Sequence, residues 1–436
     1  MNFTEATDYI HEITQTKKIS LGLSTMKELL CRLGNPQDSL SFIHIAGTNG
    51  KGSTLAFIAS VCAAAGYRVG RYNSPSVFSY CEKIQVNGIP ISEEDAARLI
   101  TRVRKSGEEM EGEGLSHPTA FEMETAVSFL YFKEKGCDLV ALETGMGGEG
   151  DATNVVTTTV CSVIASISMD HMQFLGNTLE EIARVKGGII KEGRPTVLCG
   201  QGETVTEVIK EICMEKHSPL CVSCPGEAKV LETGMEGTVF HYGRFREIKI
   251  PLAGKYQIIN ACTALEVVEI LRDLGYDIEE NVVYEGMASV KWPGRFEKLL
   301  DKPVFVIDGA HNPEAAKRLR DSLELYFTNK RMIYIMGILA DKDYRKIVEL
   351  TAPLAQWIYT VTPENPRALS GEKLSACIDG QAGRIGFKGT VEAKESVSEA
   401  VREALVRAGE DGVIVAFGSL SYLGGLSKAL KESIHD

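Results

Sequence analysis

The chain of 436 residues carries a formal net charge of -12, and 44% of its residues are hydrophobic. This length is enough for two domains that each bury a core, and the acidic charge argues against a nucleic-acid-binding surface. No run approaches the roughly 18 apolar residues that a membrane-spanning helix needs. The N-terminal segment also lacks the basic and apolar stretches of a secretory signal. We therefore expect neither nucleic acid nor a membrane among the partners of this protein.

The 11 cysteines are scattered among helical and strand-like segments, without the spacing of a disulfide framework. This usage is typical of the reducing cytosol, so we expect a cytoplasmic protein. Cys221 and Cys224 form a C-x-x-C pair. Because no second pair and no histidine pair follow at zinc spacing, we do not expect a metal there.

Apolar strand-like segments alternate with helical ones, which predicts an α/β protein with doubly wound, mostly parallel sheets. Antiparallel hairpins are predicted from about 221 to 250, where the pattern alternates and is broken by glycines. A Pro-Gly turn within 290–296 precedes a new strand–helix series, so we place a domain boundary there. The predicted domains are a P-loop-type domain over 1–296 and a Rossmann-like domain over 297–436. The predicted strands are 42–46, 138–143, 160–169, 304–308, 332–337 and 413–417.

The first strand is followed by a glycine-rich loop and a helix, in the segment "IHIAGTNGKGSTLAF". Three glycines and a lysine stand in this loop: Gly47, Gly50, Lys51 and Gly52. Glycines let a loop turn its N–H groups inward, and the lysine and the helix N-terminus add positive charge. The strict Walker pattern is not met, because Ile45 replaces its first glycine and Gly52 separates Lys51 from Ser53. The flanking strand and helix favour phosphate binding over the alternative, a turn with a solvated lysine.

Polar residues follow four of the strand-like segments where each ends: Lys51, Ser74, Glu143 and the pair Asp170 and His171. Ligands of open parallel sheets bind beyond the carboxyl ends of the strands, so we expect these residues to meet at one edge. A buried strand-end glutamate is costly unless it is paired or binds a cation. Since Mg²⁺ takes few protein ligands, Ser74, Glu143 and His171 would suffice. A hydrogen-bonded structural histidine is the alternative for His171.

The second strand–helix series repeats this arrangement. Asp308 and His311 end a strand before a helix, and Arg295 lies in the interdomain turn, where it could reach a phosphate from the opposite side. Structural salt bridges are the alternative for each. Lys186 lies on a predicted helix, where a lone lysine is usually solvated, and its pattern alone does not single it out.

These motifs together resemble the folylpolyglutamate synthase and dihydrofolate synthase family, within the Mur ligase superfamily of ATP-dependent amide-forming ligases. The resemblance extends in order from near the N-terminus well into the second predicted domain. "GTNGKGS" together with "DGAHNP" is highly specific for this family. The matching segments also include "NSP", "DLVALETGMGGEGDATNVV", "SMDHMQFLGNTLEEIARVKGGIIK", "GKYQIINACTAL", "WPGRFE" and "GILADKDY".

The resemblance implies roles for individual residues. The triphosphate cradle would comprise Gly47, Thr48, Asn49, Gly50, Lys51, Gly52 and Ser53. Further nucleotide contacts would come from Asn260, Arg295, Asp308 and His311. Two Mg²⁺ ions would be held by Ser74, Glu143, His171 and Lys186, the last as a carbamate. The implied catalytic residues are Lys51, Glu143, His171, Lys186 and Arg295. The family often has histidine where this chain has Ser76, so this loop departs from the family at that position.

The implied activity is ATP- and Mg²⁺-dependent addition of L-glutamate to folates through an acyl phosphate, by a monomer. We also expect dihydropteroate to be accepted, because bacterial members are often bifunctional. The segment "HPTAFEMETAVSFLYF" resembles the family's pterin site. There Phe121 would stack on the pterin ring and Glu122 would accept its amine hydrogens. The alternative is that Phe121 belongs to the core.

Two other functions are compatible with parts of the sequence. A UDP-muropeptide ligase would share the chemistry, but its additional N-terminal domain is not expected, because the phosphate loop begins within the first fifty residues. A non-catalytic nucleotide-binding protein would not need Lys51, Glu143 and His171 together. We therefore favour the folate ligase.

Overall fold

The computed structural model of the protein describes residues 1–17 and 22–435. The predicted domain ranges include residues 18–21 and 436, which lie outside the described residues. An eight-stranded sheet forms the N-terminal part. Its strands are β1 Phe42–Ala46, β2 Val69–Tyr72, β3 Ile84–Val86, β4 Ile89–Pro90, β5 Leu139–Glu143, β6 Thr159–Ile164, β7 Thr196–Leu198 and β8 Leu220–Val222.

The order of these strands is β4-β3-β2-β5-β1-β6-β7-β8. Six of them run parallel, and β3 and β4 are antiparallel at one edge. β1 and β5 are buried along their whole length, as expected of central strands that read as continuous apolar runs. The central position of β1 places the loop that follows it at the middle of the sheet edge.

Helices cover both faces of this sheet. One face packs against α1, α2, α4 and α5, and the other against α3, α9 and α10, while α7 and α8 flank β6 and β7. These helices and the short α6 are α1 Phe3–Thr16, α2 Ser24–Arg32, α3 Lys51–Ala64, α4 Glu93–Gly112, α5 Ala120–Glu134, α6 Met172–Leu175, α7 Leu179–Gly187, α8 Glu203–Glu215, α9 Lys255–Asp273 and α10 Glu280–Ser289.

An antiparallel sheet of three strands follows β8, with the order β11-β10-β9. The strands are β9 Lys229–Gly234, β10 Gly237–Tyr242 and β11 Phe245–Ile250. The predicted hairpins are therefore present, but their predicted start is wrong, because Cys221 lies in β8 and pairs in parallel with β7. The predicted strand 160–169 is also too long, since β6 ends at Ile164.

A second sheet, of six strands, forms the C-terminal part. Its strands are β12 Glu297–Asp301, β13 Val304–Asp308, β14 Met332–Met336, β15 Trp357–Thr360, β16 Thr390–Ala393 and β17 Val413–Phe417. Their order is β12-β13-β17-β14-β15-β16, and all pairs are parallel except that of β12 with β13.

Two apolar clusters cover the two faces of this sheet. The helices are α11 Pro313–Tyr326, α12 Tyr344–Thr351, α13 Gly371–Ile385, α14 Val397–Ala408 and α15 Leu423–His435. α11 begins at the end of β13, where the Asn312 side chain accepts from the N–H of Ala315 and Pro313 occupies the first turn. Because α11 begins here, the segment 308–312 between β13 and α11 lies at the edge of the sheet.

The predicted α/β class, with a mostly parallel first sheet, a small antiparallel insertion and a C-terminal parallel sheet, is confirmed. The boundary between residues 296 and 297 stays a prediction; β12 begins at Glu297. Within 1–17 and 22–435, none of the helices combines the length and the apolar character needed to cross a membrane.

Candidate active site

The predicted phosphate loop lies between β1 and α3. Gly50 is the N-cap residue of α3 with a φ of 86°, which favours glycine, and a Cβ there would overlap Oδ1 of Asn260. The N–H groups of Thr48 and Asn49 donate to the carbonyl oxygen of Ser166, at 2.8 and 3.1 Å. Since a glycine N-cap has no side chain, the first amides of α3 remain available to an anion. The loop geometry therefore suits a phosphate group.

Lys51 and Glu143 form a pair beside this loop. The Nζ atom of Lys51 lies 3.7 Å from Oε1 of Glu143 and 3.4 Å from the carbonyl oxygen of Thr48. Glu143 ends β5 and is buried. Burial raises the pKa of Glu143, and the charges of Lys51 and Arg295 oppose that rise. A buried carboxylate thus lies among cations at the sheet edge.

Lys186 reaches the same place from α7. Its side chain is buried, and Nζ donates to the carbonyl oxygen of Gly47 at 2.8 Å. Burial, and then the charge of Lys51, lower the pKa of Lys186 to about 7. The amine is therefore largely uncharged at slightly alkaline pH, which is the state of a nucleophilic lysine.

His171 lies between β6 and α7 in a left-handed conformation, with a φ of 49°. Its Nε2 atom is 3.9 Å from Oδ2 of Asp170. Burial lowers the pKa of His171, and the Asp170 charge opposes that effect. A neutral imidazole is the form that binds metals.

The second sheet contributes Asp308, at the end of β13. The two carboxylate oxygens of Asp308 accept from the N–H groups of Phe296 and Ala310, both at 2.8 Å, and from the Tyr256 hydroxyl at 3.2 Å. Burial raises the pKa of Asp308, opposed by the charge of Arg295. Because Tyr256 comes from α9, this hydrogen bond joins the two parts of the molecule.

His311 and Arg295 lie next to Asp308. Nδ1 of His311 is 2.8 Å from the carbonyl oxygen of Gly309, and burial together with the charge of Lys342 lowers its pKa to about 4. The guanidinium of Arg295 donates to the carbonyl oxygen of Gly294 at 3.1 Å. It also occupies the space beside Gly309. The guanidinium therefore lines the same cleft as the phosphate loop.

Further side chains join the two sheets across the cleft. Nδ2 of Asn312 donates to Oδ1 of Asn49 at 3.1 Å and to Oδ2 of Asp170 at 3.2 Å. The Lys342 ammonium donates to Asp170 at 2.9 Å, and the Arg318 guanidinium donates to Ser166 at 2.7 Å. These contacts connect the two sheets directly.

The contact residues include side chains that the sequence does not predict as part of a site, among them Tyr256, Asn312, Arg318 and Lys342. Tyr256, Asn312 and Lys342 stand within the quoted motifs "GKYQIINACTAL", "DGAHNP" and "GILADKDY". These motifs could therefore have indicated them as site residues. Arg318 lies on α11 beyond any quoted motif, and its helical periodicity does not distinguish it from a surface residue.

Almost all predicted site residues line this one cleft. They are Gly47, Thr48, Asn49, Gly50, Lys51, Gly52, Ser53, Ser74, Glu143, His171, Lys186, Asn260, Arg295, Asp308 and His311. The convergence follows from topology, because β2, β5, β1 and β6 are neighbours and all end at the same edge.

Phe121 and Glu122 lie outside this set. The Glu122 carboxylate accepts from the N–H and the hydroxyl of Thr119, both at 2.8 Å, in a capping box at the start of α5. The ring of Phe121 packs beside Gly145 and against Tyr72, with ring centroids 6.1 Å apart. The structure thus places Glu122 in a helix cap and the half-buried Phe121 beside Gly145, which lines the cleft. Their predicted pterin contacts stay predictions.

Comparison with known proteins relates this site to a family. The Mur ligase middle domain matches residues 45–268, and the Mur ligase glutamate ligase domain matches residues 294–420. A dihydrofolate synthase/folylpolyglutamate synthase of Bacillus subtilis (strain 168) is 35% identical over 419 residues, which cover 94% of this chain and 95% of that protein.

Solved structures agree with these matches. The folylpolyglutamate synthase of Mycobacterium tuberculosis complexed with ADP and AMPPCP superposes with a TM-score of 0.89 at 28% identity, covering 98% of this chain and 99% of that one. E. coli FolC in complex with DHPP and ADP gives a TM-score of 0.84 at 28% identity, covering 98% of both chains. With both domain matches and near full-length relatives, the chain belongs to the folylpolyglutamate synthase/dihydrofolate synthase family of Mur ligases.

Proposed function

We propose that this protein is an ATP-dependent ligase that adds L-glutamate to folates and also to dihydropteroate. The observation that carries the proposal is the single cleft in which Lys51, Glu143 and Lys186 from the first sheet face Arg295 and His311 from the second. The names of the relatives, and the ADP and DHPP complex of E. coli FolC, support the substrates.

ATP would bind with its phosphates on the loop 47–53. The first amides of α3, the Lys51 ammonium and the Arg295 guanidinium supply positive charge from both sides of the cleft. Asn260 lies against Gly50, so it restrains the loop from the α9 side. Such a pre-arranged set of donors stabilises charge that develops on transferred phosphate.

The reaction then has two steps. An oxygen of the substrate carboxylate attacks the γ-phosphorus, the bond to the β-phosphate breaks, and an acyl phosphate and ADP form. The glutamate amine next attacks the acyl carbon, inorganic phosphate leaves, and the amine nitrogen loses a proton. Lys51 and Arg295 would neutralise the γ-phosphoryl oxygens in the first step. The closed cleft would keep water from the acyl phosphate.

Magnesium fits the residues that are present. Within the described ranges, no group of three or more His, Cys, Asp or Glu side chains is arranged to hold a metal alone. The cleft instead offers one buried carboxylate, a hydroxyl and an imidazole, which suits an ion that takes its other ligands from phosphate and water. Ser74, Glu143, His171 and carbamylated Lys186 would hold Mg²⁺, and the ion would neutralise phosphate charge.

Carbamylation of Lys186 would complete this set. The neutral Nζ attacks CO₂, a nitrogen–carbon bond forms, one proton is released, and the side chain becomes an anion. The lowered pKa of Lys186, about 7, supports this reaction because it makes the free amine available. Enzyme equilibrated with ¹³C-bicarbonate should show a carbamate carbon resonance that Lys186→Arg lacks; equal spectra would exclude the modification.

We also propose that the protein is a monomer and lies in the cytoplasm. All 11 cysteines are free in the described ranges, which agrees with a reducing compartment. Light scattering of the purified protein gives the oligomeric state.

The test of the proposed function is product analysis. Purified protein receives ATP, Mg²⁺, glutamate and one acceptor, either tetrahydrofolate or dihydropteroate. We expect ADP release that requires both acceptor and glutamate, and a product heavier by one glutamyl residue. ADP release without these substrates, or no product with either acceptor, would contradict the proposal.

A further inference from the structure

Trp292 packs directly on the phosphate loop. A Cβ placed at Gly52 would overlap the indole ring of Trp292, so the ring lies against the glycine that follows Lys51. Trp292 belongs to the segment 290–296 that leads from α10 to β12. The unusual glycine after the lysine thus has a packing reason, because a larger residue at 52 would displace the indole.

The indole is held by packing. The guanidinium carbon of Arg71 lies 5.0 Å from the centroid of the Trp292 ring system. Arg71 is itself bound to Gln85 on the neighbouring strand. Nε1 of Trp292 is buried, and within residues 1–17 and 22–435 it has no hydrogen-bond partner. A phenylalanine at 292 would therefore lose no hydrogen bond to the protein.

The same segment is fixed to the second sheet two and four residues after Trp292. The carbonyl oxygen of Gly294 accepts from the N–H of Gly309 at 3.0 Å, and the N–H of Phe296 donates to Asp308 at 2.8 Å. Arg295, between these two anchors, lines the cleft. The segment thus contacts the phosphate loop at Trp292 and the second sheet around Arg295.

We propose that Trp292 is a positioning residue that couples the phosphate loop to Arg295. The indole sets the distance between the loop and the segment, so the guanidinium faces the phosphates only when Trp292 is seated on Gly52. This inference rests on the proposed ATP-dependent function. It implies that a nucleotide on the loop changes the surroundings of Trp292.

The chain offers a clean optical test, because it contains 2 tryptophans. The other, Trp357, lies on β15 of the second sheet beneath the guanidinium of Arg407, at 3.3 Å. In Trp357→Phe, Trp292 is the sole tryptophan. ADP titration should change its emission saturably, with the Kd that calorimetry gives. The matched variant Trp292→Phe, which retains Trp357, should show no change.

A double-mutant cycle tests the contact itself. Gly52→Ala should lower kcat/KM for ATP at least tenfold in the wild-type background, because the new Cβ displaces the indole. In a Trp292→Ala background the same change should cost less than threefold. Trp292→Phe should retain more activity than Trp292→Ala.

The outcomes separate the two proposals. If ADP binds by calorimetry but Trp292 emission stays constant and the two substitutions are additive, the positioning role is wrong. If ADP does not bind the wild-type protein, both the proposed function and this inference are wrong. Should Trp357→Phe not fold, ¹⁹F NMR of wild-type protein labelled with 5-fluorotryptophan gives the same answer, since the Trp292 resonance must shift with ADP.

Discussion

The ammonium group of Lys342 lies 2.9 Å from the carboxylate of Asp170, although the two residues belong to different sheets. Their side chains are only 9% and 11% exposed. Burial opposes ionisation of Asp170, but the charges of Lys342 and His171 outweigh it and hold its pKa well below the ordinary range. The ion pair therefore joins the two parts of the molecule next to His171.

Removing one partner of this pair should leave an unpaired buried charge. We expect Lys342→Met to lower the free energy of unfolding by roughly 3–5 kcal/mol and to lower turnover at least tenfold, because the sheets no longer close. The control is Lys428→Met, which removes an exposed partner of Glu432 at 4.0 Å and should cost about 0–1 kcal/mol. Urea unfolding and ADP release measure both effects. If Lys342→Met and Lys428→Met lowered the free energy of unfolding equally, the contact between Lys342 and Asp170 would contribute nothing to stability.

Lys51→Ala should leave a folded protein with little activity, because Lys51 supplies charge to the transferred phosphate. Loss of one such group typically costs about 3–4 kcal/mol of transition-state stabilisation, so turnover should fall ~100-fold or more. Lys83→Ala is a matched control, since Lys83 is paired with Glu124 and its side chain is 17% exposed, against 16% for Lys51. Retention of more than roughly a tenth of the activity would remove Lys51 from the proposed mechanism.

Glu143→Gln should raise the Mg²⁺ concentration needed for half-maximal activity, because a neutral amide is a poorer ligand for a hard cation. Glu124→Gln is the matched control, as both glutamate side chains are 7% exposed and face a lysine. The control should alter stability but not the Mg²⁺ titration. A titration that Glu143→Gln leaves unchanged would mean that Glu143 is structural.

Stability should depend on pH through Lys186. Its pKa is about 7 in the folded protein, against an ordinary value of 10.5. Between these values the unfolded chain binds the proton and the folded protein does not, so stability increases with pH. From pH 7 to 9, wild type should gain about 2 kcal/mol relative to Lys186→Met. Urea unfolding in CO₂-depleted buffer measures the difference. If the free energies of unfolding of wild type and Lys186→Met changed in parallel with pH, the Lys186 amine would have an ordinary pKa.

Dihydropteroate should be converted to dihydrofolate by the same cleft. Both acceptors present a carboxylate on a pterin–aminobenzoate scaffold, so Lys51→Ala should abolish both reactions together, whereas Lys83→Ala should preserve both. Product analysis by mass spectrometry with each acceptor gives the result. If only folates that already carry glutamate are extended, the dihydropteroate part of the proposal is wrong and the ligase part remains.

Much of the cleft could be predicted because its signals are local. The phosphate loop is a strand, three glycines, a lysine and a helix within one short segment. Ser74, Glu143 and His171 stand at or beyond strand ends, which topology brings to one edge. Glu122 had a local signal too, since Thr119 and Glu122 have the spacing of a capping box.

Strand limits were harder to predict, because short strands depend on their neighbours. β8 has three residues, and only its pairing with β7 distinguishes Cys221 from the hairpins that follow. β6 ends at Ile164, and Ser166 beyond it forms an isolated antiparallel bridge with Asn49 of the phosphate loop. This contact depends on the loop, so the strand pattern alone does not show where β6 ends.

Residue types and local spacing determined the phosphate loop, the order of strands and helices, and the polar groups at the strand ends. The tertiary structure decided which charges face each other across the cleft. Lys342 and Asp170 are 172 positions apart in the chain, and Trp292 meets Gly52 only because α10 packs on α3. The lowered pKa of Lys186 likewise comes from burial, which helical periodicity does not report. Contacts between distant segments depend on how the two sheets pack against each other. A sequence pattern carries no information on the distance in space between two such segments.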